Sequence, residues 1–178
     1  MSSKTVTPLL EKRNQLHLLF VATLKQIYAT EKDLLEVCET LQEEAVLKQV
    51  KISIIERRSE CLHHLHVLEK IFELLEEEIE YQKSKVVKGL LKEANEIVDQ
   101  TAPQSIARDI ALVLSVQKLK NHKISQYYTL LQFASAVGIS GAIHLLEEAL
   151  DEELKGVSYM ITVLKDLINK LAVEKPAE

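Results

Sequence analysis

An all-α, antiparallel bundle of four long helices, with a helical crossover between the second and third, is the fold that the sequence predicts. Three observations predict it. Apolar residues recur at helical spacing through four long stretches of the chain. Leu, Glu, Lys, Ile and Ala dominate a 178-residue sequence that is 47% apolar, as long helices require. Four glycines, three prolines and no tryptophan leave few turn-making residues, and Pro103, Gly138 and Gly141 fall between periodic stretches.

Helix 1 is expected from about Pro8, since a first helical turn tolerates proline, to about Ala45. Helix 2 follows from about Gln49 to Gln82. A shorter amphipathic segment places Val86, Val87, Leu90, Leu91, Ala94, Ile97 and Val98 at helical spacing, with Gly89 as its weak point, and forms the crossover. Thr101-Ala102-Pro103-Gln104-Ser105 offers capping side chains and a proline, so helix 3 begins there and runs to about Val137. Gly138-Ile139-Ser140-Gly141 is the tight turn into helix 4, which ends near Ala172. The ends, about 1–7 and 173–178, are expected to fray. Two hairpins of long helices joined by a connection with its own helix are what a bundle with one long crossover requires, and the ferritin-like arrangement is the leading instance. The length suits a single domain.

The net charge of −5 comes from 22 basic and 27 acidic residues interspersed along the chain. No basic stripe is available to neutralise a phosphate backbone, so nucleic acid is not an expected partner. No apolar run reaches the ~20 residues that cross a bilayer, and Met1-Ser2-Ser3-Lys4-Thr5 lacks a signal-peptide core. A cytoplasmic protein is expected, with Cys38 and Cys61 as buried thiols. Gly-rich phosphate loops, Walker and Rossmann signatures and Cys-x-x-Cys are all missing from the sequence. The acidic run Glu76-Glu77-Glu78 with Glu80 reads as exposed helix surface.

Ionisable residues interrupt the apolar stripes. In helix 1 the stripe through Phe20, Leu24, Ile27, Leu34, Leu35 and Cys38 has Glu31 at its centre. In helix 2, Arg57 and His64 lie among Val50, Ile54, Cys61, Leu65, Leu68, Phe72 and Leu75, with Glu60 at the flank; His63 and His66 point outward. Helix 3 places Lys120 among Ile106, Val113, Val116, Ile124, Tyr127, Leu131 and Ala134. In helix 4 the face of Leu145, Ala149, Tyr159, Val163 and Leu167 carries Glu148 and Glu152. The midpoint of Glu31 and His64 falls in the first connecting turn, which sets the two side by side. A turn near residue 139 sets Glu152 beside Tyr127 and leaves Lys120 about 9 Å away along the axis. Unpaired charges in a helical core cost several kcal/mol, so these groups must pair, change protonation state, reach water or bind a cation.

Helix 4 has a second stripe at nearly heptad spacing, through Ile143, Leu146, Leu150, Leu154, Val157, Ile161, Leu164 and Ile168. It is either an interface, with a homodimer as the expected assembly, or a surface covered by the crossover or by helix 1.

These segments also carry ordered signatures. They are Leu24-Lys25-Gln26-Ile27-Tyr28-Ala29-Thr30-Glu31-Lys32-Asp33-Leu34-Leu35, Leu68-Glu69-Lys70-Ile71-Phe72-Glu73-Leu74-Leu75, Lys88-Gly89-Leu90-Leu91-Lys92-Glu93, the run from Gln117 to Leu130, and Leu145-Leu146-Glu147-Glu148-Ala149-Leu150-Asp151-Glu152-Glu153. Over residues 16–167 the chain resembles the YciE/YciF-like stress-protein family of ferritin-like domains. The resemblance implies a stress-associated role and a metal-associated core, of which Glu31, Glu60, His64, Glu148 and Glu152 would be the remnants. Where the family usually reads Glu-His-Tyr-Glu, this chain reads Lys120-Asn121-His122-Lys123, and Arg57 stands where the family often has histidine. The leading expectation is a non-catalytic protein without a cofactor, in which charge pairs made by Lys120 and Arg57 replace the metal. The alternative is an iron- or manganese-dependent oxidase or iron-handling protein that uses the remnant set.

Overall fold

The computed structural model describes residues 3–81 and 84–173, with side chains from Asn14 onward. It is all-helical: α1 is Ser3–Glu44, α2 Lys48–Leu75, α3 Lys85–Asp99, α4 Ile106–Val137 and α5 Ser140–Val173. The four long helices expected as 1 to 4 are α1, α2, α4 and α5; the crossover is α3, giving five helices among the described residues.

Contacts between levels fix the directions. Glu31 meets His64 while Glu39 meets Arg58, so α1 and α2 are antiparallel. Thr30 meets Gln126 and Glu44 meets Arg108, so α1 and α4 are antiparallel as well. His64 reaches Glu152, and Arg57 lies against Gly156, which runs α5 antiparallel to α2. α3 packs on α4. No helix among the described residues is long and apolar enough to cross a membrane.

Local chemistry explains the boundaries. Ser84 and Ser105 cap α3 and α4 by accepting from the amides of Val87 and Arg108. Gly138 closes α4 in the left-handed region at φ 83°, as the predicted turn requires. The connection before α2 has no cap of its own, so the buried Asp109 carboxylate reaches across from α4 and accepts from the amides of Val46 and Leu47, each at 2.8 Å.

Three expectations about boundaries change. α1 starts at Ser3, upstream of Pro8, so residues 3–7 are helical; the rest of the predicted fraying, apart from Val173 at the end of α5, lies outside the described residues. α2 ends at Leu75 instead of continuing to Gln82, which itself lies outside the described residues. Glu76, Glu77 and Glu78 therefore belong to the connection and not to a helix surface. Acidic side chains at a helix C-terminus oppose its dipole, and the amides of Glu76 and Glu77 close the helix back onto Glu73 and Phe72.

The core has two apolar ends. One gathers Phe20, Leu24, Leu68, Phe72, Leu130 and Leu146. The other gathers Val50, Ile54, Leu112, Val116, Met160 and Leu167. Between them lies a layer that is charged on all four long helices, and the candidate site is built there. Cys38 and Cys61 are buried free thiols near this layer, and burial holds Cys38 up to about 11 and Cys61 well above its ordinary value.

The second helix 4 stripe divides. Leu146 and Leu150 are core residues and Ile143 packs against the same cluster, so these three are not free for an interface. Leu154 and Ile161 are exposed and Leu164 is half-buried. α5 packs chiefly on α4 and α2, so cover by the crossover or by α1, the alternative to an interface, is at most marginal.

Candidate functional site

Glu31 on α1 and Glu153 on α5 are both fully buried. Lys123 on α4 lies between them, its Nζ 2.8 Å from Glu31 Oε2 and 2.6 Å from Glu153 Oε1. Lys120, one turn away, is 2.8 Å from Glu153 Oε2 and 3.0 Å from Glu60 Oε2. Arg57 Nη2 reaches the other oxygen of Glu60 at 2.6 Å. Glu31 Oε2 and both oxygens of Glu153 meet the ammonium groups as ion pairs.

His64 joins this cluster to the surface. Its Nδ1 is 3.2 Å from Glu31 and 3.3 Å from Glu153, and its Nε2 is 3.1 Å from Glu152. Tyr127 donates its hydroxyl proton to Glu31 at 2.8 Å. The Glu152 side chain is 41% exposed and borders a cleft of about 710 Å³ between α2 and α5, lined also by Arg57, Glu60, His63, Gly156 and Tyr159.

The charges balance. Burial opposes ionisation of Glu153, but Lys123, the His64 hydrogen bond and Lys120 outweigh it and hold the carboxyl well below its ordinary range. Burial likewise opposes the Glu31 carboxylate, and Lys123 and His64 overcome that opposition and lower it. The same carboxylates, together with the nearby Cys61, hold Lys123 protonated against burial. For His64, burial favours the neutral ring, yet hydrogen bonds to Glu153 and Glu31 raise it to about 9. Glu31, Glu60, Glu152 and Glu153 therefore face Arg57, Lys120, Lys123 and protonated His64, four charges of each sign.

This balance carries a pH prediction. His64 titrates near 6.5 in an unfolded chain and near 9 here, so its contribution is complete below about 6.5 and is lost as pH rises through 9. Between those values the folded state binds more protons, and stability should fall by up to ~1.4 kcal/mol per pH unit. Denaturant midpoints measured from pH 6 to 10 test this, and His64→Gln should flatten that part of the profile.

The structure brings together Glu31, Glu60, His64, Lys120 and Arg57, whereas Glu152, expected to face inward, reaches His64 from the rim with its side chain 41% exposed. It corrects Glu148, whose side chain is 55% exposed and pairs with His144 on the surface. Tyr127 contacts Glu31 instead of Glu152, and Lys120 contacts Glu153 directly. The inward carboxylate of α5 is Glu153, which the periodicity reading missed. Ala142, Leu146, Ala149, Glu153, Gly156, Met160, Val163 and Leu167 alternate steps of four and three and are all buried. Reading the stripe through Leu145 and Tyr159 instead rotated the helix by about one residue, because small Ala and Gly carry little weight in an apolar pattern. Lys123 was also missed by periodicity, although the altered helix 3 signature contains it.

Among the described residues, Glu31, His64 and Glu153 have donor atoms within 4.8 Å of one another, the donor chemistry of an iron or manganese centre. Each carboxylate is also committed to an ammonium group, which cannot ligate a metal and repels one.

The family model described as a domain of unknown function, DUF892, matches residues 15–173. Protein YciF of Escherichia coli strain K12 is 31% identical over 166 residues, 88% of this chain and 94% of that protein. Among solved structures, the E. coli stress protein YciF aligns with a TM-score of 0.82 at 25% identity, covering 87% of this chain and 98% of that one. YcfI from Rhodopseudomonas palustris aligns at 0.79 and 22% identity, over 83% and 93% of the two chains, a likeness of fold.

Proposed function

We propose, from the premise that this chain belongs to the DUF892 family of domains of unknown function, that it is a stress-associated, non-catalytic protein on a ferritin-like scaffold. In this reading, buried charge pairs stand where metallated relatives of the scaffold hold ions. One observation carries it: Lys123 Nζ occupies the space between Glu31 and Glu153, within 2.8 Å of both. The residues do not fit an iron or manganese centre. A divalent ion held by Glu31, His64 and Glu153 would expel the His64 proton, because a ligating imidazole is neutral, and would still leave an excess of one positive charge beside the two buried lysines, at a cost of several kcal/mol. Output through binding or assembly and residence in the cytoplasm complete the reading, the latter supported by two free buried thiols.

Charge arithmetic gives the test. Lys120→Glu with Lys123→Glu replaces two positive charges by two negative ones, a change of −4, which is the charge that two divalent ions neutralise. After anaerobic loading with ferrous iron or manganese and desalting, the native protein should retain no stoichiometric metal, whereas the double variant should retain it. Tightly held, stoichiometric metal in the native protein would overturn the reading in favour of an iron- or manganese-dependent oxidase using Glu31, His64 and Glu153. A folded double variant that takes up nothing would refute the role given to the two lysines.

A further inference from the structure

The cleft between α2 and α5 holds a charged group with unused bonding capacity. Arg57 is 8% exposed and pairs through Nη2 alone, 2.6 Å from Glu60 and 3.9 Å from Glu56, while its buried Nε and Nη1 have no hydrogen-bond partner. An unmet donor on a charged group away from water is costly. Nη1 lies over the bare backbone of Gly156 on the opposite wall, where a Cβ would collide with it, so the open edge of the guanidinium sits at the cleft. A carboxylate rims the same place. The Glu56 side chain is 53% exposed, and Arg57 at 3.9 Å, beyond hydrogen-bond reach, is its one ion-pair partner among the described residues. Tyr159, 44% exposed, adds an aromatic ring to the α5 wall.

We propose that this cleft binds a free α-amino acid with an apolar side chain, its carboxylate on the edge of Arg57 formed by Nε and Nη1 and its ammonium on Glu56. A planar fork of N–H donors matches a carboxylate with two parallel bonds, and Arg57, anchored through Nη2 alone, needs only a small turn of its side chain to present that edge. Charge selects a zwitterion. The layer beneath carries four charges of each sign, so a simple acid would add a negative charge and a simple amine a positive one, whereas an amino acid adds none. Spacing selects the α class. The guanidinium and the Glu56 carboxylate are 3.9 Å apart, which asks for a ligand whose two charges sit close together, as they do on one carbon. Tyr159 offers the side chain an aromatic face, and a cleft of about 710 Å³ lies within the range of small-molecule sites. The site rests on the reading that the layer beneath it holds no metal.

L-Phenylalanine titrated into the full chain should bind saturably by calorimetry, one molecule per chain, and shift the amide resonance of Gly156. 3-Phenylpropionate, which lacks the ammonium, and phenethylamine, which lacks the carboxylate, should each bind at least ~10-fold more weakly. Arg57→Met should abolish binding. Glu56→Gln, at an exposed position, should weaken it about 5-fold with helicity unchanged. Equal affinity for either half-molecule overturns the proposal, as does affinity unchanged in Glu56→Gln. A flat titration of native protein shown to be metal-free overturns the amino-acid site alone, whereas stoichiometric metal retained by the native protein overturns the reading of the layer and the site with it.

Discussion

Lys123→Met should destabilise the protein by about 3–5 kcal/mol, the cost of leaving a buried charge without its partner. The side chains are similar in length and the methionine thioether fills irregular space well, so packing changes little. Charge changes a great deal. Glu31 and Glu153, both fully buried, lose the ammonium group that contacts each of them, leaving His64 between them and Lys120 on Glu153 alone. A thermal midpoint lower by roughly 10 °C follows for a domain of this size. The loss has a signature that a packing defect lacks. Without Lys123 one of the two carboxyls should bind a proton more readily than in the unfolded chain, so the gap between variant and native protein should narrow as pH falls toward 5. Replacing Glu31 and Glu153 by glutamine in the same variant should restore much of the stability at pH 7, because removing a whole buried ionic group costs less than breaking it. A deficit independent of pH, and not relieved by the glutamines, would show that Lys123 acts through shape.

How much of this site is legible in the sequence depends on what surrounds each charge. Glu31 is plain because large apolar residues, Phe20, Leu24, Ile27, Leu34 and Cys38, fix the phase of α1 around it. Arg57 and His64 are plain for the same reason on α2. Glu153 is hidden because its neighbours on the buried stripe are Ala149 and Gly156, which small size makes neutral in an apolar pattern although it brings α5 close to its partners. Lys123 is hidden differently: Ile124 beside it supplies an apolar step between Lys120 and Tyr127, so the stripe is drawn through the isoleucine, which is only half-buried, and passes over the buried lysine. The end of α2 depended on electrostatics at a helix terminus, which periodicity does not register.

Gly156→Ala should lower stability by about 2–3 kcal/mol, against the gain of ~1 kcal/mol that removing a glycine from a helix interior normally gives. The reversal comes from what lies over the glycine. A Cβ at this position would collide with Arg57 Nη1 and stand 2.7 Å from Lys120 Cε and 2.8 Å from Lys120 Nζ. Both side chains are flexible, so the clash itself is easily relieved. Relief moves the cations. Arg57 makes its close ion pair with Glu60 through Nη2, while its Nε and Nη1 have no hydrogen-bond partner, so little else anchors the guanidinium, and the cleft beside it gives it somewhere to go. Lys120 displaced from Glu153 and Glu60 leaves both carboxylates with one fewer cation. Trimming Arg57 and Lys120 to methionine removes the ion pairs that the methyl group would disrupt, so in that background Gly156→Ala should lose most of its cost and approach the ordinary helical gain. If Gly156→Ala stabilises the native protein instead, the two cations do not need the bare backbone of α5, and the close approach of charge to that helix is not what keeps a glycine there.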